Sequence, residues 1–218
     1  MDPLSQGIVG SVAAQQKSSK EKILLITIIG FLSGMAPDLD VFIRSSHDPL
    51  LAIEFHRQFT HSLIFIPFGG FICGTFFYHV LTKRKGMSIK ETYLYCTLAY
   101  ASHGILDACT SYGTQLFWPF NDFRVAWNTI SIVDPIFTIT LFTLVFLSIF
   151  RRKTIFARIA LIWVITYMSI GLIQHNRAEK VGLLNADSRG HIPARIVVKP
   201  SLANLLVWKV IYLSLIHL

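Results

Sequence analysis

The stretch that most constrains this chain is HSLIFIPFGGFICGTFFYHVL, residues 61–81, closed by Lys83, Arg84 and Lys85. It matches the roughly 20 apolar residues that cover a bilayer core. Backbone in lipid must satisfy its own hydrogen bonds, which restricts what such a run can become. Similar apolar runs occupy 23–36, 91–107, 135–150 and 155–174. They predict five helical spans. Residues 3–16 predict a further short helix, capped by Asp2 and opened by Pro3. The expected fold class is all-α: a polytopic helical membrane bundle of five or six membrane helices.

This helical membrane domain is expected over residues 1–177. A short extramembrane segment, 178–218, follows, in which IPARIVVKP and LLVWKVIYLSL read as strands. Composition agrees. Only 15% of residues are charged, where about 25% is usual for soluble domains, and the mean hydropathy is +0.54. The net charge of +8 does not point to nucleic acid, because the basic residues cluster beside apolar runs at 17–22, 83–90 and 151–158. Such clusters mark the cytoplasmic side of a membrane protein. The start of the chain lacks a basic segment followed by an apolar core, so targeting is expected from the spans themselves. Cys73, Cys96 and Cys109 form no CxxC pair and read as buried small hydrophobes.

Local signals refine the picture. Gly30 and Gly34 form a GxxxG pair, and Gly7, Gly10 and Ala14 give the first helix a small-residue face, so both can pack closely. Pro37 disfavours helix at Ala36. Ser45 to Pro49 mark a turn. Pro67, Gly69 and Gly70 predict a kink in the 61–81 span. Between 108 and 133 the aromatics Tyr112, Phe117, Trp118, Phe120, Phe123 and Trp127 predict a layer at the membrane–water boundary.

If the basic clusters share the cytoplasmic side, the opposite rim receives Asp38, Asp40, His56, Arg57, His61, Asp107, Asp134 and His175, with His103 one turn inside the membrane. Ionisable groups near a bilayer core are costly and usually face a polar cavity. His103 and Asp107 are four apart and share a helix face. His56 and His61 are five apart, so either a helix starts between them or they serve different parts of the site. Thr60 is placed to bond His56. Asp38 and Asp40, in extended backbone, would aim both carboxylates the same way.

This pool of three imidazoles and three carboxylates suits a divalent metal, zinc first, with manganese or iron as alternatives; calcium prefers oxygen alone. Two metals are also compatible with six ligands. The expected ligands are Asp38, Asp40, His56, His61, His103 and Asp107. Arg57 is the expected clamp for developing negative charge, and His103 and Asp107 also count as catalytic. Asp134 or His175 would support them from outside. No GxSxG, SxxK or HExxH pattern occurs.

The segments MDPLSQGIVG, GMAPDLDVF, HRQFTHSL, SHGILDACTSYGTQLFWPF and SLANLLVWKV together resemble the YdjM-type family of bacterial inner-membrane metal-dependent hydrolases, also labelled LexA-binding hydrolases. The resemblance spans nearly the whole chain. It implies a helical membrane domain with a metal site at Asp38, Asp40, His56, Arg57, Thr60, His61, Ser62, His103 and Asp107. Two departures stand out. Relatives often carry a histidine where this chain has Gln6, and they usually continue further beyond the LLVW segment.

The function expected is therefore a multi-pass hydrolase of the bacterial inner membrane. Its metal-activated water would attack an ester or phosphoester, lipid or lipid-linked, at the non-cytoplasmic boundary. The partners expected are the bilayer and that substrate, without nucleic acid; the sequence offers no support for a protein partner. The competing classes are a transporter or channel, which would place its ionisable groups near the midplane, and a non-catalytic regulator.

Overall fold

The structure, a computed structural model, describes residues 1–214 except Ser46 and Pro49, and omits the side chains of Ala52 and Ile53. Part of the turn expected at 45–49 and the end of LLVWKVIYLSL therefore lie outside the described residues. Seven α-helices and one β-hairpin make up the described chain: α1 Pro3–Gln15, α2 Ile23–Met35, α3 Leu51–Phe55, α4 Ile66–Phe77, α5 Ile89–Ala108, α6 Pro135–Arg151, α7 Ile155–Asp187, β1 Pro193–Pro200 and β2 Trp208–Ser214.

The first helix is short and central. The Asp2 carboxylate accepts from Ser5 N at 2.9 Å and caps it. Residues Ser5 to Val12 are all buried, because α1 packs against α2, α5, α6 and α7. Its contact with α2 is close. A Cβ on Gly10 would lie 2.6 Å from the Gly30 carbonyl oxygen, and one on Gly30 would lie 2.7 Å from the Ala14 Cβ. The small-residue faces read from the sequence are thus the faces that meet. Gly30→Val is expected to destabilise the protein by about 1–3 kcal/mol, because the atoms it strikes belong to backbone or to Ala14. A lowered thermal midpoint in detergent checks this; an unchanged one refutes the close crossing.

Pro37 explains how α2 ends. It has no N–H to give the Ser33 carbonyl, and the Ala36 N–H takes that acceptor one residue early. The chain tightens into a 3₁₀ helix over Ala36–Phe42. This corrects the extended geometry expected for Asp38-Leu39-Asp40. A 3₁₀ turn rotates about 120° per residue, so the two carboxylates leave the helix in different directions, Asp38 toward Nε2 of His61 and Asp40 toward its Nδ1. At the far end of α4 a π-helical turn, Tyr78–Thr82, leads into the basic Lys83–Lys85.

The basic clusters gather at one end of the bundle. Lys22 Nζ reaches the Gly86 carbonyl at 3.1 Å and Glu91 at 3.7 Å. Gln16 Nε2 donates to the Ala157 carbonyl at 2.9 Å. The other end holds the 108–134 segment, tied to Ala108 by Trp127 N and to the hairpin region by Ala203 N, which donates to the Val133 carbonyl.

Among the described residues three stretches are long and apolar enough to cross a membrane: Ile23–Phe42, Leu63–Lys85 and Ile155–Asp187. α6 is apolar but shorter, and α5 carries Lys90, Glu91, His103 and Asp107. The membrane character expected from the sequence is present, with three stretches meeting the length and composition of a span. Large apolar side chains line the outside of α4, α6 and α7, including Phe71, Phe146 and Ile162. α7 runs 33 residues, about 50 Å at 1.5 Å per residue. That exceeds the roughly 30 Å hydrocarbon core. The antiparallel hairpin pairs Val198 with Val210 and packs Val210 against α7 at Gly182, so both expected strands are present within the described residues.

Candidate metal centre

Four elements meet at the end of the bundle away from the basic clusters. The 3₁₀ helix after α2 supplies Asp38 and Asp40. A turn after α3 supplies His56 and Arg57, and a short 3₁₀ helix, Phe59–His61, supplies His61. The last turn of α5 supplies His103 and Asp107. His61, His103 and Asp107 are buried, while the Asp38 side chain is 20% exposed. The centre therefore opens toward Asp38.

At its heart stand two ring nitrogens and two carboxylate oxygens. His61 Nε2 lies 2.9 Å from His103 Nε2, 3.4 Å from Asp38 Oδ1 and 3.3 Å from Asp107 Oδ2. His103 Nε2 lies 3.3 Å from Asp38 Oδ1 and 3.6 Å from Asp107 Oδ2. A tetrahedron with arms of about 2.0–2.1 Å, the length of zinc–nitrogen bonds, has edges of about 3.3–3.4 Å. These spacings bracket that value. The donor set, two imidazoles and two carboxylates, suits a borderline divalent cation.

The surrounding hydrogen bonds fix which nitrogens face inward. His103 Nδ1 is 2.6 Å from the Gly34 carbonyl, which can only accept, so Nδ1 carries the hydrogen and the Nε2 lone pair faces the cluster. The Thr60 hydroxyl donates to Asp40 Oδ2 at 2.9 Å and so accepts from His61 Nδ1 at 2.9 Å. In the neutral ring, His61 Nε2 is left with its lone pair facing the cluster in the same way. Thr60 was expected to serve His56; it serves His61 and Asp40.

Asp40 organises the second layer. It meets His56 Nδ1 at 2.8 Å, the Arg57 N–H at 3.0 Å and His61 Nδ1 at 3.3 Å. Asp38, Asp40 and His56 also form a second group with donor atoms close enough to share an ion, Asp38 being common to both groups. All six expected ligands thus lie in one region, divided between two overlapping clusters. His56 and His61 serve different parts of it, as their five-residue spacing allowed.

Arg57 sits at φ +63°, a conformation disfavoured for residues with a Cβ. Its N–H is held by Asp40 and its carbonyl accepts from Gln115 N at 3.0 Å. These bonds offset the strain, which costs on the order of 1–3 kcal/mol. They direct the guanidinium to Asp107 Oδ2 at 3.1 Å and Thr110 Oγ1 at 3.1 Å, above the Tyr112 ring. Gln6 is wholly buried and donates to Asp107 Oδ1 at 2.8 Å, and the Met1 amino group also meets that oxygen. Helix α1 therefore backs the centre.

The other candidates lie elsewhere. Asp134 caps α6 and accepts from the Tyr167 hydroxyl at 2.8 Å. His175 packs edge-on to Trp208 with ring centroids 5.9 Å apart. Ser62 closes its own turn on the Phe59 carbonyl. One residue escaped sequence reasoning: Gly104. A Cβ there would lie 2.3 Å from the His61 carbonyl oxygen, so its lack of a side chain lets the His61 turn rest against α5. Only its place inside the HxxxD stretch hinted at this.

His61 lies just before the apolar stretch that starts at Leu63. Burial alone would lower its pKa, but bonds to Asp107, Asp38 and Asp40 outweigh burial and push it up to about 10. A proton and a cation therefore compete for Nε2. Below about pH 10 a cation must displace that proton, so metal affinity should rise with pH by up to about tenfold per unit. Zinc titrations between pH 6 and pH 8 check this; a flat profile counts against His61 as a ligand. Thr60→Val removes the acceptor that fixes the His61 ring. It should weaken metal binding by about 10–100-fold, the usual cost of losing such a supporting partner. Competition with a chelator of known affinity measures the loss, and an unchanged affinity would remove Thr60 from the centre.

A model of the family described as YdjM inner membrane protein matches residues 1–178. Inner membrane protein YbcI of Escherichia coli (strain K12) is 25% identical over 154 residues, covering 68% of this chain and 82% of that protein. No solved structure matches. The matched residues include every donor of the centre and all seven helices except the last turns of α7. With its apolar helices and its Asp/His cluster inside that match, the chain belongs to the YdjM family of bacterial inner membrane proteins.

Proposed function

We propose that this chain is a metal-dependent hydrolase of the inner membrane, acting on an ester or phosphoester at the non-cytoplasmic boundary. The observation that carries this reading is the gathering of His61 Nε2, His103 Nε2, Asp38 Oδ1 and Asp107 Oδ2, with five of their six separations between 2.9 and 3.6 Å. His61, His103, Asp38 and Asp107 would hold the cation. A divalent cation there would supply Lewis acidity, and a water taken as its fifth ligand would be acidified toward neutral pH.

The chain's own residues do the rest. Asp40 and Thr60 orient His61, and the Gly34 carbonyl orients His103. Arg57, one of the residues lining the adjoining cavity, carries a permanent positive charge close to the centre for a developing oxyanion. The buried helices α1 and α5 exclude water from the back of the site, and the partly exposed Asp38 marks the side open to substrate. The ionisable groups cluster at one end of the bundle, whereas transporters usually hold theirs near the midplane. The basic clusters at the other end support placing that end in the cytoplasm.

The test is turnover of bis(4-nitrophenyl) phosphate and 4-nitrophenyl acetate by detergent-purified protein, with and without added zinc or manganese. Metal-dependent release of nitrophenol, lost in Asp38→Asn and in His103→Ala, is the expected result. Metal-loaded protein inert toward both esters would overturn the hydrolase reading.

A further inference from the structure

Beside the metal centre lies a cavity of about 830 Å³, within the size range of ligand sites. Its polar end is formed by Asp38, His56 and Arg57. From there it runs between α2 and α4, lined by Leu32, Met35, Ile72, Cys73 and Phe76. Both helices pack on α5 and touch each other only lightly, so the cavity has an open side. Leu32, Ile72 and Phe76 are exposed along it, and all three belong to stretches apolar enough to cross a membrane. The opening therefore faces lipid.

We infer that this groove takes an acyl chain of a membrane glycerophospholipid and delivers its phosphate to Arg57 and the metal centre. The inference rests on the hydrolase reading for what happens at the phosphate, and on the groove alone for binding. Polarity selects the occupant. An apolar helix seated here would strip water from the partly exposed side chains of Asp38 and His56 and offer them no polar group in return, which is costly. A soluble phosphoester would leave the apolar walls unmatched. A phospholipid supplies both halves: apolar chain for Leu32, Ile72 and Phe76, and an anionic phosphate for the Arg57 guanidinium. Between Ile66 and Phe76 α4 rises about 15 Å, length enough for most of a chain that enters from one leaflet. The aromatic residues Phe117, Phe120 and Phe123 are exposed at the same end of the bundle, at the level where a headgroup sits.

The experiment uses phosphatidylglycerol with a diazirine on its acyl chain, in phosphatidylcholine nanodiscs holding the full chain. Mass spectrometry maps the crosslinks. Label should concentrate on Leu32, Ile72, Cys73 and Phe76, and Ile72→Trp should cut it about tenfold, since each methylene expelled costs a factor of about four. Ile72 is exposed, so this change spares the fold; Ile162→Trp on the exposed face of α7 is the control and should change nothing. Label spread equally over α6 and α7 and indifferent to Ile72→Trp overturns the groove. The two readings fail separately. If metal-dependent cleavage of bis(4-nitrophenyl) phosphate persists without groove labelling, the lipid site falls and the hydrolase stands. If the groove is labelled but no ester is cleaved, the hydrolase falls and the lipid site stands.

Discussion

His103→Ala is expected to leave a folded protein that no longer retains metal. The change removes one of two imidazole donors from the cluster and leaves the Gly34 carbonyl without its side-chain partner. Losing a supporting partner costs about 10–100-fold in metal affinity, so losing a ligand should cost more than about 100-fold. The orphaned carbonyl adds about 1–3 kcal/mol of instability. His103→Gln keeps most of the volume and separates the two effects. Metal content by mass spectrometry, together with the thermal midpoint of each variant, reads both. Wild-type metal content in the two variants would show that the ion is held elsewhere.

Gly104→Ala should be nearly as damaging, although it removes no donor and adds one methyl. The added Cβ would stand 2.3 Å from the His61 carbonyl oxygen. That oxygen is backbone, so the turn carrying His61 must move by close to an ångström. Overpacking of this kind costs about 1–3 kcal/mol. The same movement separates His61 Nε2 from His103 Nε2, which lie 2.9 Å apart. Metal affinity should fall by at least about tenfold, comparable to losing a supporting bond. The test compares chelator competition in Gly104→Ala with that in Gly7→Ala. At Gly7 an added Cβ also meets a crowded neighbour, but the atoms are the Phe31 ring rather than the centre. Equal affinities in both would show that the Gly104 contact does not position His61.

Much of this was legible in the sequence. The apolar runs, closed by basic clusters, gave the helices and put the clusters at one end. Lys22 and Gln16 bridge those clusters through Gly86, Glu91 and Ala157. His103 and Asp107 could be paired from their spacing alone, because a helix puts residues four apart on one face. GxxxG in α2 and the small residues of α1 announced a close crossing.

What stayed hidden depends on contacts between distant segments. The 3₁₀ twist after Pro37 turned Asp38 and Asp40 to opposite nitrogens of His61, and no local rule chooses extended over 3₁₀ backbone there. Arg57 takes a left-handed conformation because Asp40 and Gln115 hold its peptide groups from separate elements. Gly104 matters through a carbonyl some forty residues away in sequence. α7 continues past Gln174 to Asp187 although its residues turn polar, since a helix is held by backbone hydrogen bonds that do not require apolar side chains.

The most direct test is X-ray absorption at the zinc edge on detergent-purified protein loaded with one equivalent of zinc. The expected shell holds four to five nitrogen and oxygen atoms at about 2.0–2.2 Å, four from the chain and a fifth from water, with the outer-shell pattern of two imidazoles. One imidazole should disappear from that pattern in His61→Ala. A six-oxygen shell without imidazole, or zinc that washes out on gel filtration, would contradict the metal centre.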